Sequence, residues 1–94
     1  MNYDVASAII RIGEMERYFD VLCSFAKVDP KAVFSHPHLK ELLDKLVDYY
    51  DGGQWLEDYR ADEKGLFPDN LKRGVLSQDG IYNLLEKLHV KNEK

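Results

Sequence analysis

The sequence predicts an all-α fold: a small antiparallel bundle of three main helices with a shorter fourth helix packed on it. Three observations carry that expectation. Apolar residues recur every three or four positions in four separate segments, the period of a helix with one buried face. No segment shows the strict alternation of a half-buried strand. Thr is absent while Leu, Ala, Glu and Lys are plentiful, a composition that favours helix over sheet.

The first helix is expected over about residues 5–27. Val5, Ala8, Ile9, Ile12, Met15, Phe19, Leu22 and Ala26 trace its buried face, and Asp4 is its N-cap. Ser7, Arg11, Glu14, Arg17, Ser24 and Lys27 trace the wet stripe opposite, interrupted by two large aliphatics, Ile10 and Val21. Asp29-Pro30 ends this helix, because the residue before proline is pushed out of the α region. The same pair can start a single turn through Phe34. A second helix follows Ser35-His36-Pro37, with Leu39, Leu42, Leu43, Leu46, Val47 and Tyr50 inward, and stops at Asp51-Gly52-Gly53.

Gln54 to about Glu63 reads as the shorter helix, closed by Gly65. Trp55, Leu56 and Tyr59 lie on one of its sides, and Glu57, Asp58 and Asp62 on the other. Leu66 to Asn70 is turn-rich, and Gly74-Val75-Leu76 is expected to be irregular. Ser77 should cap the last main helix, which buries Ile81, Leu84, Leu85 and Leu88. Lys87, His89 and Lys91 suit its negative end, and Asn92-Glu93-Lys94 should fray.

Ninety-four residues suit one domain, 1–94, and 45% hydrophobic with 32% charged residues is a globular balance. No apolar run approaches the roughly 20 residues of a membrane helix. Met1-Asn2-Tyr3-Asp4 has no basic n-region, so no secretory signal is expected, and Cys23, the single cysteine, permits no internal disulfide. These features place the protein in the cytoplasm. Residues 1–51 hold nine acids against six bases, residues 52–70 five against two, and residues 71–94 three against five. An acidic chain without a basic stripe is a poor nucleic-acid binder and suits a basic protein partner better.

Three stretches resemble a small bacterial and phage-borne family known only as a domain of unknown function. They are Glu14-Met15-Glu16 with Tyr18-Phe19-Asp20, then Tyr49-Tyr50 through Trp55-Leu56-Glu57-Asp58-Tyr59 and Ala61 to Gly65, then Leu71-Lys72-Arg73-Gly74-Val75-Leu76-Ser77-Gln78-Asp79-Gly80-Ile81-Tyr82-Asn83-Leu84-Leu85. The likeness spans nearly the whole chain and is weakest over residues 28–45. It implies a bacterial or phage origin and brings no activity or site residue with it.

Chemistry-bearing patterns are sparse. His36 and His38 flank Pro37, far in sequence from Cys23, and zinc spacings such as CxxC or HExxH are absent, so no metal or cofactor is expected. Asp58-x-Arg60-x-Asp62 puts a cation where a calcium loop needs an oxygen. Cys23 adjoins the apolar face of its helix, and Ser35 and Ser77 stand at caps, so no nucleophile is evident. Glu57, Asp58, Asp62 and Glu63 read as a solvated acidic face with little to shift their pKa values.

Two groupings are left. Tyr49, Tyr50, Trp55 and Tyr59, interleaved with Glu57, Asp58 and Asp62 around a Gly-Gly break, suit a hot spot for a basic protein. The same rings could equally seal one end of the bundle. Lys72-Arg73-Gly74 leading to Ser77 offers a helix start and two cations to a small anion, although Asp79 opposes it.

The leading expectation is a non-catalytic acidic protein-binding module, of the immunity-protein or antitoxin type, that engages a basic partner. The alternative is a small enzyme or anion sensor built on the Lys72 loop. A nucleic-acid accessory role is disfavoured by charge. Ile10 and Val21 could seed a homodimer seam.

Overall fold

The computed structural model describes residues 3–89, and among these residues there are helices and turns but no strand. Helix α1 spans Val5–Val28, α2 Pro30–Ser35, α3 Pro37–Asp51, α4 Gln54–Glu63 and α5 Gly80–Lys87, with a 3-10 turn at Gly74–Leu76 before α5.

Local chemistry sets most of these boundaries. Asp4 accepts hydrogen bonds from the Ser7 hydroxyl at 2.8 Å and from the amides of Ala6 and Ser7 at 3.1 and 3.4 Å, which satisfies the start of α1. The Ser7 hydroxyl, followed by these amides, lowers the Asp4 pKa. At the other end Asp29 leaves the helix at φ −153°, ψ 86°, and Pro30 opens α2. His36 is extended in the same way before Pro37, so two short X-Pro corners turn α1 into α2 and α2 into α3.

Gly53, at φ +91°, turns the chain from α3 into α4 in a conformation that side chains resist. The end of α4 is a Schellman motif. Gly65, at φ +74°, donates its N–H to the Asp62 carbonyl at 3.0 Å, and Leu66 donates to the Ala61 carbonyl at 3.2 Å.

The core lies between α1, α2, α3, the 3-10 turn and α5. Ile12, Leu22, Val33, Leu46, Val75 and Ile81 are fully enclosed there. Burying a side chain of this size contributes about 1.5–3 kcal/mol. On α1 the enclosed residues are Ala8, Ile12, Leu22 and Ala26, while Val5, Ile9, Met15, Phe19 and Cys23 pack partly buried around them. α4 lies against α3 and the 3-10 turn.

Two expectations are corrected. The last helix is not one of the three main ones: at eight residues it is shorter than the ten-residue α4. It also starts at Gly80, not at Ser77. Ser77 instead ends the 3-10 turn, donating its N–H to the Gly74 carbonyl at 3.1 Å. The reason is tertiary. Burial of Val75 and Leu76 draws this segment inward, and a Cβ on Gly80 would lie 2.5 Å from Ser77 Oγ, 3.1 Å from the Gly74 carbonyl and 3.2 Å from Phe19. The close approach needs glycine, and it outweighs the capping preference of Ser77. α5 ends with His89 at φ +59°. Lys91 and the expected fraying of residues 92–94 lie outside the described residues.

Candidate functional site

The rings expected to mark a partner site are only partly brought together. Tyr50 from the end of α3 meets Trp55 edge-on with centroids 5.1 Å apart, and Trp55 stacks on Tyr59 at 5.1 Å and 17°. The Gly52-Gly53 turn makes this ridge, because it folds α4 back beside the last turn of α3. Trp55 is also fixed from below, since its indole N–H donates to the Val75 carbonyl at 2.9 Å. All three rings are half-buried, and exposed Leu56 and Glu57 follow Trp55 on α4. The ridge therefore braces the 3-10 turn with one edge and meets water with the other.

Asp58 was expected on the solvated face with Glu57 and Asp62. It is instead fully buried. Arg11 grips it with two bonds, Nε to Oδ2 at 3.0 Å and Nη2 to Oδ1 at 2.7 Å. The Tyr49 hydroxyl donates to Oδ2 at 2.7 Å, the Tyr3 hydroxyl donates to Oδ1, and Gln54 donates to Oδ1 from 3.5 Å. Burial alone would raise the Asp58 pKa, yet the bonds from Arg11, Tyr3 and Tyr49 outweigh it and hold the carboxyl below its ordinary value. Conversely, burial and the adjacent carboxylate push the Tyr3 and Tyr49 hydroxyls well above the ordinary tyrosine value.

This arrangement specifies packing and does not suit proton transfer. A general acid or base needs a pKa near the working pH and access to substrate. Asp58 has neither. Tyr49, 5% exposed, is likewise removed from any partner surface. Arg11, placed by the sequence on the wet stripe of α1, turns its guanidinium inward. One faint signal pointed to this: Trp55 and Ala61, three residues to either side of Asp58, put apolar neighbours on the same stripe of α4.

Most donors of the anion-binding alternative are already engaged. Arg73 pairs with Asp62 and also donates to the carbonyls of Pro68 at 2.5 Å and Leu71 at 3.3 Å. The amide of Val75 donates to Glu16 Oε1 at 2.7 Å. A Cβ on Gly74 would come 3.1 Å from the other Glu16 oxygen, so Gly74 admits a carboxylate of α1 where an incoming anion would sit. Lys72 is exposed, and Ser77 does not cap α5. Asp62, taken up by Arg73, is half-buried, which leaves Glu57 as the exposed acid of the original set.

Among the described residues no three His, Cys, Asp or Glu side chains are grouped to hold a metal ion, and no helix is long and apolar enough to cross a membrane. Cys23 is half-buried, and burial raises its thiol pKa, so little of it is thiolate near neutral pH.

The family described as Domain of unknown function (DUF4298) matches residues 12–93 of the chain. The protein belongs to the DUF4298 family. The DUF4298 match takes in Glu16, Tyr49, the aromatic ridge, Asp58 and Val75, whereas Tyr3 and Arg11 lie just before it. No curated protein and no solved structure matches the chain.

Proposed function

We propose that this protein is a non-catalytic binding module whose partner is a basic protein, met by the Tyr50–Trp55–Tyr59 ridge. The observation that carries this reading is the ridge itself: Trp55 in ring contact with Tyr50 on one side and Tyr59 on the other, held from below by Val75 and half-exposed beside Leu56 and Glu57. Rigid aromatic side chains cost little entropy to immobilise and are favoured binding anchors.

Charge supplies the sign of the partner. Between Asp48 and Lys64 there are six acids and two bases. Arg11 neutralises Asp58 and Arg73 neutralises Asp62. Asp48, Asp51, Glu57 and Glu63 remain exposed against Arg60 and Lys64. In a protein of this size, acting in the cytoplasm, the concrete form would be an immunity protein, antitoxin or other inhibitor. That last step is an analogy of size and charge.

Affinity capture from a native host, followed by kinetics with the captured protein, tests the reading. A Leu56→Ser/Tyr59→Ala variant should dissociate faster, since losing a desolvated aromatic anchor costs about 2 kcal/mol or more. Glu57→Lys/Glu63→Lys should slow association and flatten its salt dependence. A partner of net negative charge, or unchanged binding by the folded Leu56/Tyr59 variant, would sink the proposal.

A further inference from the structure

We infer that the outer face of α1 is a self-complementary surface, on which a second copy of this chain docks antiparallel. The inference does not rest on the proposed function and concerns a different helix. Its starting point is Ile10, 69% exposed in the second turn of a helix whose other face is already packed. Val21, also exposed, lies three turns further on, about 16 Å along the axis at 1.5 Å per residue. Between them on the same stripe stand Glu14 and Arg17, both exposed and neither in an ion pair among the described residues. The spacing Ile10, Glu14, Arg17, Val21 alternates four and three, the seam of a helix that packs lengthwise on another.

The order of these residues fixes the occupant and its direction. Reversed, the string apolar–acid–base–apolar becomes apolar–base–acid–apolar. Two such helices laid antiparallel therefore put Ile10 on Val21 of the second copy and Glu14 on its Arg17. The two-fold axis repeats both contacts, as an isologous interface requires. One step outward, exposed Ser7 falls opposite Ser24, a small polar pair. A parallel pairing would instead set Glu14 against Glu14 and Arg17 against Arg17, which like-charge repulsion disfavours.

Gly13 adds an independent reason. Glycine inside a helix costs about 0.5–1 kcal/mol relative to alanine. Here a Cβ would meet nothing within 4 Å, so the chain's own packing does not require the glycine. It adjoins Glu14 and lies one turn before Arg17, at the edge of the seam. There it leaves room for the Arg17 side chain of the second copy to reach Glu14. Few layers are involved and two are ionic, so the dimer should be weak and salt-sensitive.

Sedimentation equilibrium on the full chain tests this, with circular dichroism to confirm the fold of each variant. At low salt the wild type should pass from monomer to dimer as concentration rises through the micromolar range. Glu14→Arg and Arg17→Glu should each raise the dimer dissociation constant at least tenfold, because each turns two attractions into repulsions. Mixing the two variants should restore dimerisation. One chain then carries arginine at both charged positions of the seam and the other glutamate at both, so each cross-seam pair is again attractive. A wild type that stays monomeric at about 500 μM, weaker than almost any functional self-association, overturns the inference. So does a dimer indifferent to either reversal, or a mixture that fails to recover.

Discussion

In the N-terminal half of α1, Arg11 reaches a carboxylate with no exposure to water, whereas at the C-terminal end Val28 stands 86% exposed and Phe25 40%. The first region ties three helices together through polar groups. Arg11 of α1, Tyr49 of α3 and Tyr3 converge on the two carboxylate oxygens of Asp58 in α4, so none of these helices can slide without leaving a buried group unpaired. The second region, where α1 turns into α2, has backbone hydrogen bonds at its turn but no side-chain hydrogen bond between the two helices among the described residues, and it packs through apolar contact: Ala26 and Val33 are enclosed, while Phe25, Val28 and Phe34 face outward. Non-directional burial tolerates displacement, but a converging set of hydrogen bonds does not. The contrast teaches where this small fold is specified and where it is merely covered.

The largest effect should come from Asp58→Ala. It leaves the Arg11 charge and two tyrosine hydroxyls without their acceptor, and breaking a buried pair in this way costs about 3–5 kcal/mol. Urea denaturation measures it. A loss below about 1 kcal/mol, the net worth of an ordinary hydrogen bond, would mean that water takes over the role of the carboxylate and that the contrast between the two regions is false.

Gly80→Ala should come next, and it probes the packing of α5 apart from either region. Alanine would stabilise a helical site by up to about 1 kcal/mol, but overpacking a close contact costs about 1–3 kcal/mol. The nearest atom is the movable Ser77 Oγ, but the Gly74 carbonyl is backbone and cannot retreat as easily. Net destabilisation of about 1 kcal/mol is expected in a thermal melt. A more stable variant would show that the 3-10 turn has slack.

Acid sensitivity sharpens the first region further. The folded-state pKa of Asp58 is depressed. Its contribution is therefore complete above the unfolded value, about 3.9, and is lost as pH falls through the folded one. Tyr3 and Tyr49 have raised values, so their contribution is full below about 10, the unfolded tyrosine pKa, and is lost at higher pH. Tyr49→Phe, with one donor removed, should cost about 1 kcal/mol at neutral pH. It should also raise the pH at which acid unfolding begins and remove a late-ionising phenol from the alkaline absorbance titration. An unchanged acid limb would show that Arg11 and Tyr3 set the Asp58 pKa without Tyr49.

The legible parts of this fold were those whose cause is local. Asp4, the two X-Pro corners and Gly65 each act within a few residues, and the ends of α1, α2, α3 and α4 fall within a residue of where these signals put them. The start of α5 was not legible, since Ser77 has the right chemistry for a cap and only the inward pull of Val75 and Leu76 overrides it. Asp58 was hidden for a related reason. A carboxylate on a short charged helix looks solvated until its partners are known, and Arg11 is 47 residues away in sequence. Of the expected ridge, Trp55 and Tyr59 could be paired from helical spacing alone. The helical pattern put Tyr50 on the buried face, whereas the structure encloses Tyr49, drawn in by Asp58, and leaves Tyr50 half-buried.

The smallest effect should come from the apolar corner, and Val28→Ser isolates it. Val28 already exposes 86% of its surface, so serine forfeits only a small part of one side chain's burial. Valine and serine have similar helix propensities, so the backbone term is close to neutral. Surface changes of this kind usually fall within about 0.5 kcal/mol of wild type. The denaturation should be run at low micromolar concentration, where association does not contribute to the midpoint. If Val28→Ser costs more than about 1 kcal/mol, beyond that surface range, the side chain is covered in solution. The corner would then be held as firmly as a core position, and the contrast with the Asp58 cluster would fail from its other side.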